Sequence, residues 1–462
     1  MLYVLLGVAF VLPQKMIGAR NYGIFVSAQT ILTAIYMLSD GLALQSMVTF
    51  GAEPRRRAEA MTIAAMTHTL FVGACTLIVY LGRHALAAFF GEPELAGALA
   101  LFPLVSLGFL LRNYCLKVLQ LDIDIRAMFL IDAAWVGSTL LLFAIGWAGR
   151  TLATAEDMMI ISALSSGASS LMGLVLCRRR IVLARHIDGE RLRQTARFAV
   201  AQCAAAATLV LQTQGDVLVL MRFASAASVG NYDVAKKFFR AFEALRDAGS
   251  MFVYPAVARL RAQARMSEMV LMVEKMIGFT LVVVVPIVLL VWIAPIEILF
   301  RAIYRTQYVE APHLFRLLSI AALAIPFALN LNVLTGLGES RAGFRSTLLS
   351  AVTFFVVALA LVPLFDTSGA ALAIVASYFA LGITSTVAVH NRVPFSLASA
   401  LGRWRDAFEY ALRFWRSRRR TDGDGPVDDA PLDDAPLDDA PLDDARSTSI
   451  GNPQSELRNP QR

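Results

Sequence analysis

Apolar stretches recur along the chain, and short polar segments separate them. Each stretch is long enough to cross the hydrocarbon core of a bilayer, which takes about 20 residues of helix. A backbone in lipid must satisfy its own hydrogen bonds, and the stretches do not alternate as barrel strands do, so we predict that all are helices. The twelve predicted spans are residues 2–18, 23–49, 61–82, 98–119, 127–147, 157–177, 195–221, 231–257, 269–293, 313–336, 344–365 and 369–390.

The first stretch is the weakest. Leu2 to Pro13 is short for a span, and extending it to Gly18 buries Gln14 and Lys15. A signal peptide is the competing interpretation, but it would need a basic n-region and a small-residue cleavage site. Either the helix is short and packs against its neighbours, or the true start lies upstream.

Composition supports the membrane interpretation. The chain has 57% hydrophobic and 17% charged residues, and its mean hydropathy is +0.61. Soluble domains carry about 25% charged residues. The predicted fold class is therefore all-α, a polytopic membrane protein with about twelve transmembrane helices in two six-helix lobes.

The longest internal loop divides six predicted spans from six. The second span of each half opens with the same pair of residues, Asn21-Tyr22 and Asn231-Tyr232, which is a weak internal echo. Two similar bundles around a midplane site are a recurrent transporter plan. The predicted domains are an N-terminal lobe over residues 1–177, a cytoplasmic interlobe loop over 178–194 and a C-terminal lobe over 195–390.

Two different segments follow the last span. Residues 398–420 place apolar positions at helical spacing among many arginines, which predicts an amphipathic helix on the anionic cytoplasmic leaflet, with a solvated helix as the alternative. Residues 421–462 contain a DDAPL repeat with proline in every unit. Such a repeat cannot pack a core, so we predict a disordered acidic tail.

Loop charge sets the expected orientation. One alternating set of loops, with Lys117 counted among its cations, carries seventeen Lys and Arg, and the other set carries seven. The richer set is expected in the cytoplasm. This predicts a multi-pass protein of the bacterial inner membrane with both termini cytoplasmic. The basic body favours contact with membrane lipids, and no nucleic-acid motif is present.

The span over residues 231–257 carries unusual charge. Ionisable groups in a span are costly and usually face a protein interior or a hydrated cavity. Six ionisable residues of this span fall within an arc of about 120° at 100° per residue: Asp233, Lys236, Lys237, Arg240, Glu243 and Asp247. Arg246 lies just outside this arc. The first three members, Asp233, Lys236 and Lys237, could instead snorkel to the external interface.

Milder polar patterns occur in other spans. Gln29, Thr33, Tyr36 and Asp40 fall within an arc of about 60°, although a Tyr or Thr in a span usually serves packing, so only Asp40 exceeds that expectation. Elsewhere three charged residues stand in spans: Asp216 in the seventh, Arg112 near the cytoplasmic end of the fourth, where it could snorkel, and Asp132 near the start of the fifth, where it could be interfacial.

These residues form the predicted site. Its cations are Lys236, Lys237, Arg240 and Arg246, which could hold a pyrophosphate through charge-assisted hydrogen bonds. Its acids are Asp40, Asp216, Glu243 and Asp247, which could neutralise those cations or couple transport to an ion gradient, and both roles stay open. No catalytic residue, metal ligand set or cofactor is predicted, since the four cysteines and five histidines lack metal spacing.

Over about residues 1–395 the chain resembles the polysaccharide-type (Wzx) flippases of the multidrug/oligosaccharidyl-lipid/polysaccharide exporter superfamily, which also contains the MATE exporters and the lipid II flippase. Each motif is loose, and their order across the spans carries the resemblance. The motifs are Asn21-Tyr22-Gly23-Ile24-Phe25 leading to Ser39-Asp40-Gly41-Leu42, Gly215-Asp216-Val217-Leu218-Val219-Leu220 followed by Val229-Gly230-Asn231-Tyr232, and Gly336-Leu337-Gly338-Glu339-Ser340-Arg341.

The resemblance implies two six-helix lobes, a V-shaped cavity and alternating access. The implied cargo is undecaprenyl-pyrophosphate-linked oligosaccharide, moved from the cytoplasmic to the periplasmic leaflet for polysaccharide biosynthesis. A polysaccharide polymerase and glycosyltransferases are expected partners. A drug exporter of the same fold is the nearest alternative, and a membrane polymerase or glycosyltransferase is the alternative from another class. The DDAPL tail departs from the family pattern.

Overall fold

Helices follow the apolar stretches along the part of the chain that the computed structural model describes, residues 2–403, 405 and 406, with side chains described from Ile17 onward except at 201 and 340. No strand occurs among these residues. The prediction of an all-helical polytopic membrane protein is confirmed.

The first half of the chain forms eight α-helices and one π-helical segment. They are α1 (Leu2–Ser39), the π-helix (Asp40–Leu44), α2 (Gln45–Gly51), α3 (Arg57–Leu81), α4 (Arg83–Phe90), α5 (Leu95–Ala100), α6 (Phe102–Leu121), α7 (Ile125–Ala148) and α8 (Ala155–Cys177).

The second half forms nine further helices. They are α9 (Gly189–Phe223), α10 (Ala226–Ala262), α11 (Met266–Ile293), α12 (Ile296–Tyr304), α13 (Ala311–Ala322), α14 (Ile325–Ala328), α15 (Asn330–Gly336), α16 (Ser340–His390) and α17 (Leu397–Gly402).

Two of these helices are broken where the sequence predicts a boundary between spans. Gly18 (φ 73°) interrupts α1, and Asp366 (φ 53°) interrupts α16 three residues after Pro363. Glycine adopts a positive φ without a steric penalty, whereas an aspartate there is uncommon. Each of the two long helices therefore consists of two helical segments joined at a kink.

Eight helices among the described residues are long and apolar enough to cross a membrane, or nine if the pair Ala311–Ala322 and Ile325–Gly336, bent by 45°, forms one span. Three predicted spans account for the difference between nine and twelve: the counted helices begin at Ile17, so the first predicted span is not among them, the broken α16 counts once, and the charged α10 does not qualify by composition. Twelve crossings and the division into two lobes stay predictions.

Small residues let the helices approach closely. Four serines of α8 are buried: Ser165, Ser166, Ser169 and Ser170. A Cβ at Gly108 of α6 would lie 2.1 Å from the Ser166 hydroxyl, so these two helices pack almost backbone to backbone. Packing through small residues is the usual way helices associate in lipid, which offers no hydrophobic driving force.

The last described segment is short. Helix α17 packs against α11, where a Cβ at Gly278 would lie 2.6 Å from the Ala400 carbonyl oxygen. The predicted interfacial helix over 398–420 lies mostly outside the described residues, and the predicted acidic tail over 421–462 lies outside them entirely.

Candidate functional site

A cavity of about 510 Å³ lies inside the helical bundle between α1, the π-helix, α6 and α9. Small-molecule sites in proteins usually measure about 300–1,000 Å³. Its walls combine charged, amide and aromatic side chains with aliphatic ones. The lining residues are Gln29, Leu32, Thr33, Tyr36, Met37, Asp40, Gly41, Gln45, Phe109, Arg112, Asn113, Leu116, Lys117, Gln202, Ala205, Ala206 and Leu209.

The polar stripe of α1 forms one wall of this cavity. Gln29, Thr33, Tyr36 and Asp40 all line it, as their common arc on the helix predicts. They are spaced three or four residues apart, so one face of α1 and the π-helix presents them all in the same direction. This wall is the part of the site that helical periodicity alone identifies.

The charged end of the cavity is built around Asp40. Its carboxylate lies 2.9 Å from the Lys117 ammonium and accepts a hydrogen bond of 2.7 Å from the Gln45 amide. Asp40 is the first residue of the π-helix. A π-helical insertion re-aims side chains within a helix and often occurs at functional sites. Here it brings Asp40 and Gln45 together, although they are five residues apart.

Arg112 adds a second cation to the wall. Its guanidinium is paired with Asp132 of α7, donates to the Ser169 hydroxyl at 3.2 Å and lies 5.0 Å from the centre of the Trp135 ring. The side chain therefore turns into the bundle rather than snorkelling to the interface. An inward arginine that still lines a cavity can meet an anion without leaving its acidic partner.

Arg112 and Lys117 are absent from the set of site residues predicted from sequence. Both lie toward the end of a predicted span, where a cation is usually at the membrane interface. Lys117 is also counted among the loop cations that set the predicted orientation. The available signal is the presence of Asp40 and Asp132 in neighbouring spans, because buried acids need partners of opposite charge.

The predicted residue Lys236 lies in a buried cluster away from the cavity lining. Its ammonium is 2.6 Å from the Asp216 carboxylate and donates to the Thr213 carbonyl oxygen at 2.9 Å, and Tyr232 donates to the same carboxylate at 2.7 Å. Asp216 has no exposed surface, and the Lys236 side chain is 13% exposed. In this conformation both charges are neutralised inside the bundle.

Lys237 belongs to a similar cluster one residue further along α10. Its ammonium lies 2.9 Å from Asp233 and is hydrogen-bonded to the Tyr22 hydroxyl, which itself donates to Asp233 at 2.6 Å. This cluster joins α1 to α10. The snorkelling alternative for Asp233, Lys236 and Lys237 does not describe this conformation, since all three side chains bond within the bundle.

The remaining predicted residues lie further along α10. Tyr378 of α16 donates to Glu243 at 2.7 Å, and Arg246 lies 3.3 Å from the Tyr378 hydroxyl and 3.1 Å from Asp247. Arg240 is exposed and has no hydrogen bond or ion pair with any described residue. None of the four predicted cations lines the 510 Å³ cavity.

Helices α1 and α10 touch at two glycines. A Cβ at Gly23 would lie 1.6 Å from the Ala226 carbonyl oxygen, and a Cβ at Gly230 would lie 2.2 Å from that of Ala19. Glu92, in the segment between α4 and α5, accepts a hydrogen bond of 2.8 Å from the Ala226 amide. The two halves of the chain are therefore in tight contact at the end of the bundle where α10 begins.

Polar groups outside the spans form ion pairs at the opposite end. Asp124, just before α7, accepts from the Ala127 amide at 3.0 Å and pairs with Arg180 at 2.6 Å. The Ala127 hydrogen bond, and then Arg180, hold the pKa of this carboxyl below its usual value. In the second half, Arg392 at 3.0 Å likewise lowers the pKa of Glu339.

Comparison with known families gives one match. A family described as "Polysaccharide biosynthesis protein" matches residues 15–311, which is well over half of the chain. No curated protein matches the chain.

Solved structures share the fold over most of the chain. One is the lipid II flippase MurJ in an inward closed conformation, with a TM-score of 0.69, 11% identity, and coverage of 90% of this chain and 91% of that chain. Another is an inward-facing multidrug resistance MATE transporter of the MOP superfamily, with a TM-score of 0.66, 12% identity, and coverage of 85% and 94%. An outward-facing MATE transporter gives a TM-score of 0.54 at 12% identity, with coverage of 85% and 95%.

The resemblance noted in the sequence is therefore confirmed at the level of family and fold. These structural neighbours are a flippase and two transporters. The chain belongs to the polysaccharide biosynthesis protein family and has the fold shared by MurJ and the MATE transporters of the MOP superfamily.

Proposed function

We propose that this protein moves undecaprenyl-pyrophosphate-linked oligosaccharide from the cytoplasmic to the periplasmic leaflet of the bacterial inner membrane by alternating access. The observation that carries the proposal is the cavity whose wall presents both Arg112 and Lys117 inside a membrane bundle. Two cations inside a bundle need a reason, because charge at membrane depth is costly. The simplest explanation for these two cations is that they bind an anionic head group.

Charge balance in the cavity suits a pyrophosphate diester, which carries two negative charges. Arg112 can offer a planar fork of donors and Lys117 a point charge. In this conformation Asp132 pairs with Arg112 and Asp40 pairs with Lys117. A pyrophosphate that binds Lys117 would displace Asp40, and the freed carboxylate could then take up a proton or an ion.

The cations of α10 have a separate role in this proposal. Arg240 and Arg246 lie on or beside the exposed face of the helix and would meet the cargo when the two halves part. Lys236 and Lys237 would become ligands only in a conformation that opens their pairs with Asp216 and Asp233. Glu243 and Asp247 would balance Arg246 and could contribute to coupling.

The orientation follows from loop charge, with both termini in the cytoplasm. The end at which α10 begins then faces the periplasm. The contact between Gly23 and Gly230 closes that end, so cargo would enter from the cytoplasmic side. The cycle requires this contact to open for release. Glycosyltransferases would supply the cargo, and a polysaccharide polymerase would consume it.

A flipping measurement tests the proposal. The purified full chain is reconstituted in vesicles with a fluorescent undecaprenyl-pyrophosphate-linked oligosaccharide, and the fraction of cargo accessible to an external reductant is followed over time. Faster exchange than in protein-free vesicles is expected. In cells, deletion of the gene should leave lipid-linked oligosaccharide on the cytoplasmic leaflet. Normal periplasmic delivery in the deletion strain would overturn the proposal.

A further inference from the structure

The cavity has two chemically different ends. One end carries the Asp40–Lys117 ion pair, and the other carries the neutral side chains of Gln29 and Thr33. Eleven residues of helix separate Gln29 from Asp40, which is about 16 Å at 1.5 Å per residue. A pyrophosphate at the charged end therefore leaves room along α1 for the group attached to it.

Gln29 has an unused hydrogen-bonding group. Its side-chain oxygen is buried and has no hydrogen-bond partner among the residues that the structure describes. An unpaired buried acceptor is unfavourable, and each such case in a protein calls for an explanation. The amide offers two donors and one acceptor. A ligand that turns this amide into the cavity and donates to its oxygen would remove the penalty.

The surroundings of Gln29 suit a sugar ring. Tyr36 and Phe109, with ring centres 5.9 Å apart, line the cavity between Gln29 and Asp40, and aromatic rings give the C–H face of a pyranose an apolar surface. Thr33 donates its hydroxyl to the Gln29 main-chain oxygen at 2.8 Å, so the hydroxyl oxygen can still accept from a ligand.

The charge of that sugar is also constrained. Among the described residues that line the cavity, the cations are Arg112 and Lys117, and in the proposed function the pyrophosphate takes up both of them. An additional carboxylate next to Gln29 would be desolvated without a counter-charge, which is strongly unfavourable. Amide, hydroxyl and aromatic groups instead match hydroxyl and acetamido substituents.

We propose that Gln29 selects the sugar joined directly to the pyrophosphate, and that this sugar is uncharged and donates a hydroxyl or acetamido N–H to the Gln29 side-chain oxygen. The inference rests on the proposed function, because it takes the pyrophosphate to lie at Lys117. It adds a specificity-determining residue and a substrate class to that site.

Binding of three soluble probes to the purified full chain tests the inference. Citronellyl methyl pyrophosphate carries the diester charge without a sugar, and the other two probes carry N-acetylglucosamine or galacturonic acid in place of the methyl group. The wild type should bind the N-acetylglucosamine probe about three- to tenfold more tightly than the methyl probe, which is the range for one or two hydrogen bonds. It should bind the galacturonic acid probe less tightly than the N-acetylglucosamine probe.

Gln29→Leu should lower the affinity for the N-acetylglucosamine probe to about that for the methyl probe. The matched control is Gln214→Leu, which changes a half-buried amide of α9 that does not line the cavity. It should keep the wild-type preference.

Three results would overturn the inference. They are an unchanged sugar preference in Gln29→Leu, an equal loss of affinity for all probes in that variant, and tight binding of the galacturonic acid probe by the wild type. Failure of the proposed function gives a different pattern, in which the wild type binds none of the probes.

Discussion

Helices α1 and α10 pack against each other, yet their polar side chains have different surroundings. The stripe on α1 has a single charged member, Asp40, and its four residues line a 510 Å³ cavity. The stripe on α10 has six charged members, and Lys236 and Lys237 are held in buried pairs by Asp216 and Asp233. The polar stripe of α1 faces the cavity, whereas most charged side chains of the α10 stripe form ion pairs or hydrogen bonds within the bundle.

The difference shows that the number of charges in a span does not measure its access to a ligand. Charges of both signs at membrane depth lower their free energy most by pairing with each other. Helix α10 carries both signs within a few turns and has α9 and α1 as neighbours. Asp40 instead pairs with Lys117 of α6, and both residues line the cavity.

The largest expected effect is on stability, from breaking the buried pair of α10. Asp216→Ala leaves the Lys236 ammonium buried without a counter-charge, which should lower the free energy of unfolding by about 3–5 kcal/mol. Denaturant titration in mixed micelles measures it. Adding Lys236→Met removes the stranded charge and should restore most of the loss. If Asp216→Ala instead kept its stability and abolished flipping, the pair would be a coupling device rather than a structural one.

Next in size is the loss of a cavity cation. Lys117→Gln removes a charge-assisted contact to the pyrophosphate, which should slow vesicle flipping by about tenfold or more, since such a contact contributes about 1.5–3 kcal/mol. Unfolding should change less than in Asp216→Ala, because Asp40 is 33% exposed and keeps its hydrogen bond from Gln45. Lys275→Gln, a half-buried lysine of α11 outside the cavity lining, is the control. Equal flipping by both variants would contradict a cargo site on the α1 side.

A smaller effect is expected at Arg240 of α10. Arg240→Ala should leave unfolding within about 0.5 kcal/mol of wild type, because this side chain is exposed and makes no ion pair with the described residues. Flipping should fall by about two- to tenfold if the α10 face meets the cargo. Arg345→Ala, at an exposed arginine of α16, should flip normally. Wild-type flipping by Arg240→Ala would remove α10 from the cargo site.

The smallest effect concerns the half-buried pair of Asp124 and Arg180 outside the spans, which contrasts with the buried pairs of α10. The folded-state pKa of Asp124 is lowered, so the stability it contributes is present above its unfolded pKa of about 3.9 and is lost as pH falls through the folded value. Asp124→Asn should therefore lower the Tm slightly at pH 7, and the difference between the two Tm values should shrink as the pH falls below about 3.9. A Tm difference that stays constant over this range would show that protonation of Asp124 has no part in it.

Much of the candidate site follows from helical periodicity. The common arc of Gln29, Thr33, Tyr36 and Asp40 is a local property of one helix, so the sequence predicts that these side chains share a wall. The arc of α10 is predicted in the same way. The hydrogen-bond and ion-pair partners of the α10 residues could not be predicted. Asp216 and Tyr22 come from other helices, and no local rule states which charged residues meet.

Arg112 and Lys117 show a second limit. A cation near the end of a span can snorkel to the interface or turn inward, and both choices fit the same sequence. The inward turn depends on Asp132 and Ser169 for Arg112 and on Asp40 for Lys117. Those partners become neighbours only when α6, α7, α8 and α1 are packed together.

The sequence by itself determined that the chain is a membrane protein made of helices, where most of those helices begin and end, and which faces of α1 and α10 are polar. These properties follow from apolar length and from a period of 3.6 residues, both of which are local. The tertiary structure alone decided which polar face borders a cavity and which charges cancel. The physical reason is that the free energy of a charge at membrane depth depends on the group lying within a few ångströms of it, and that group comes from a distant part of the chain.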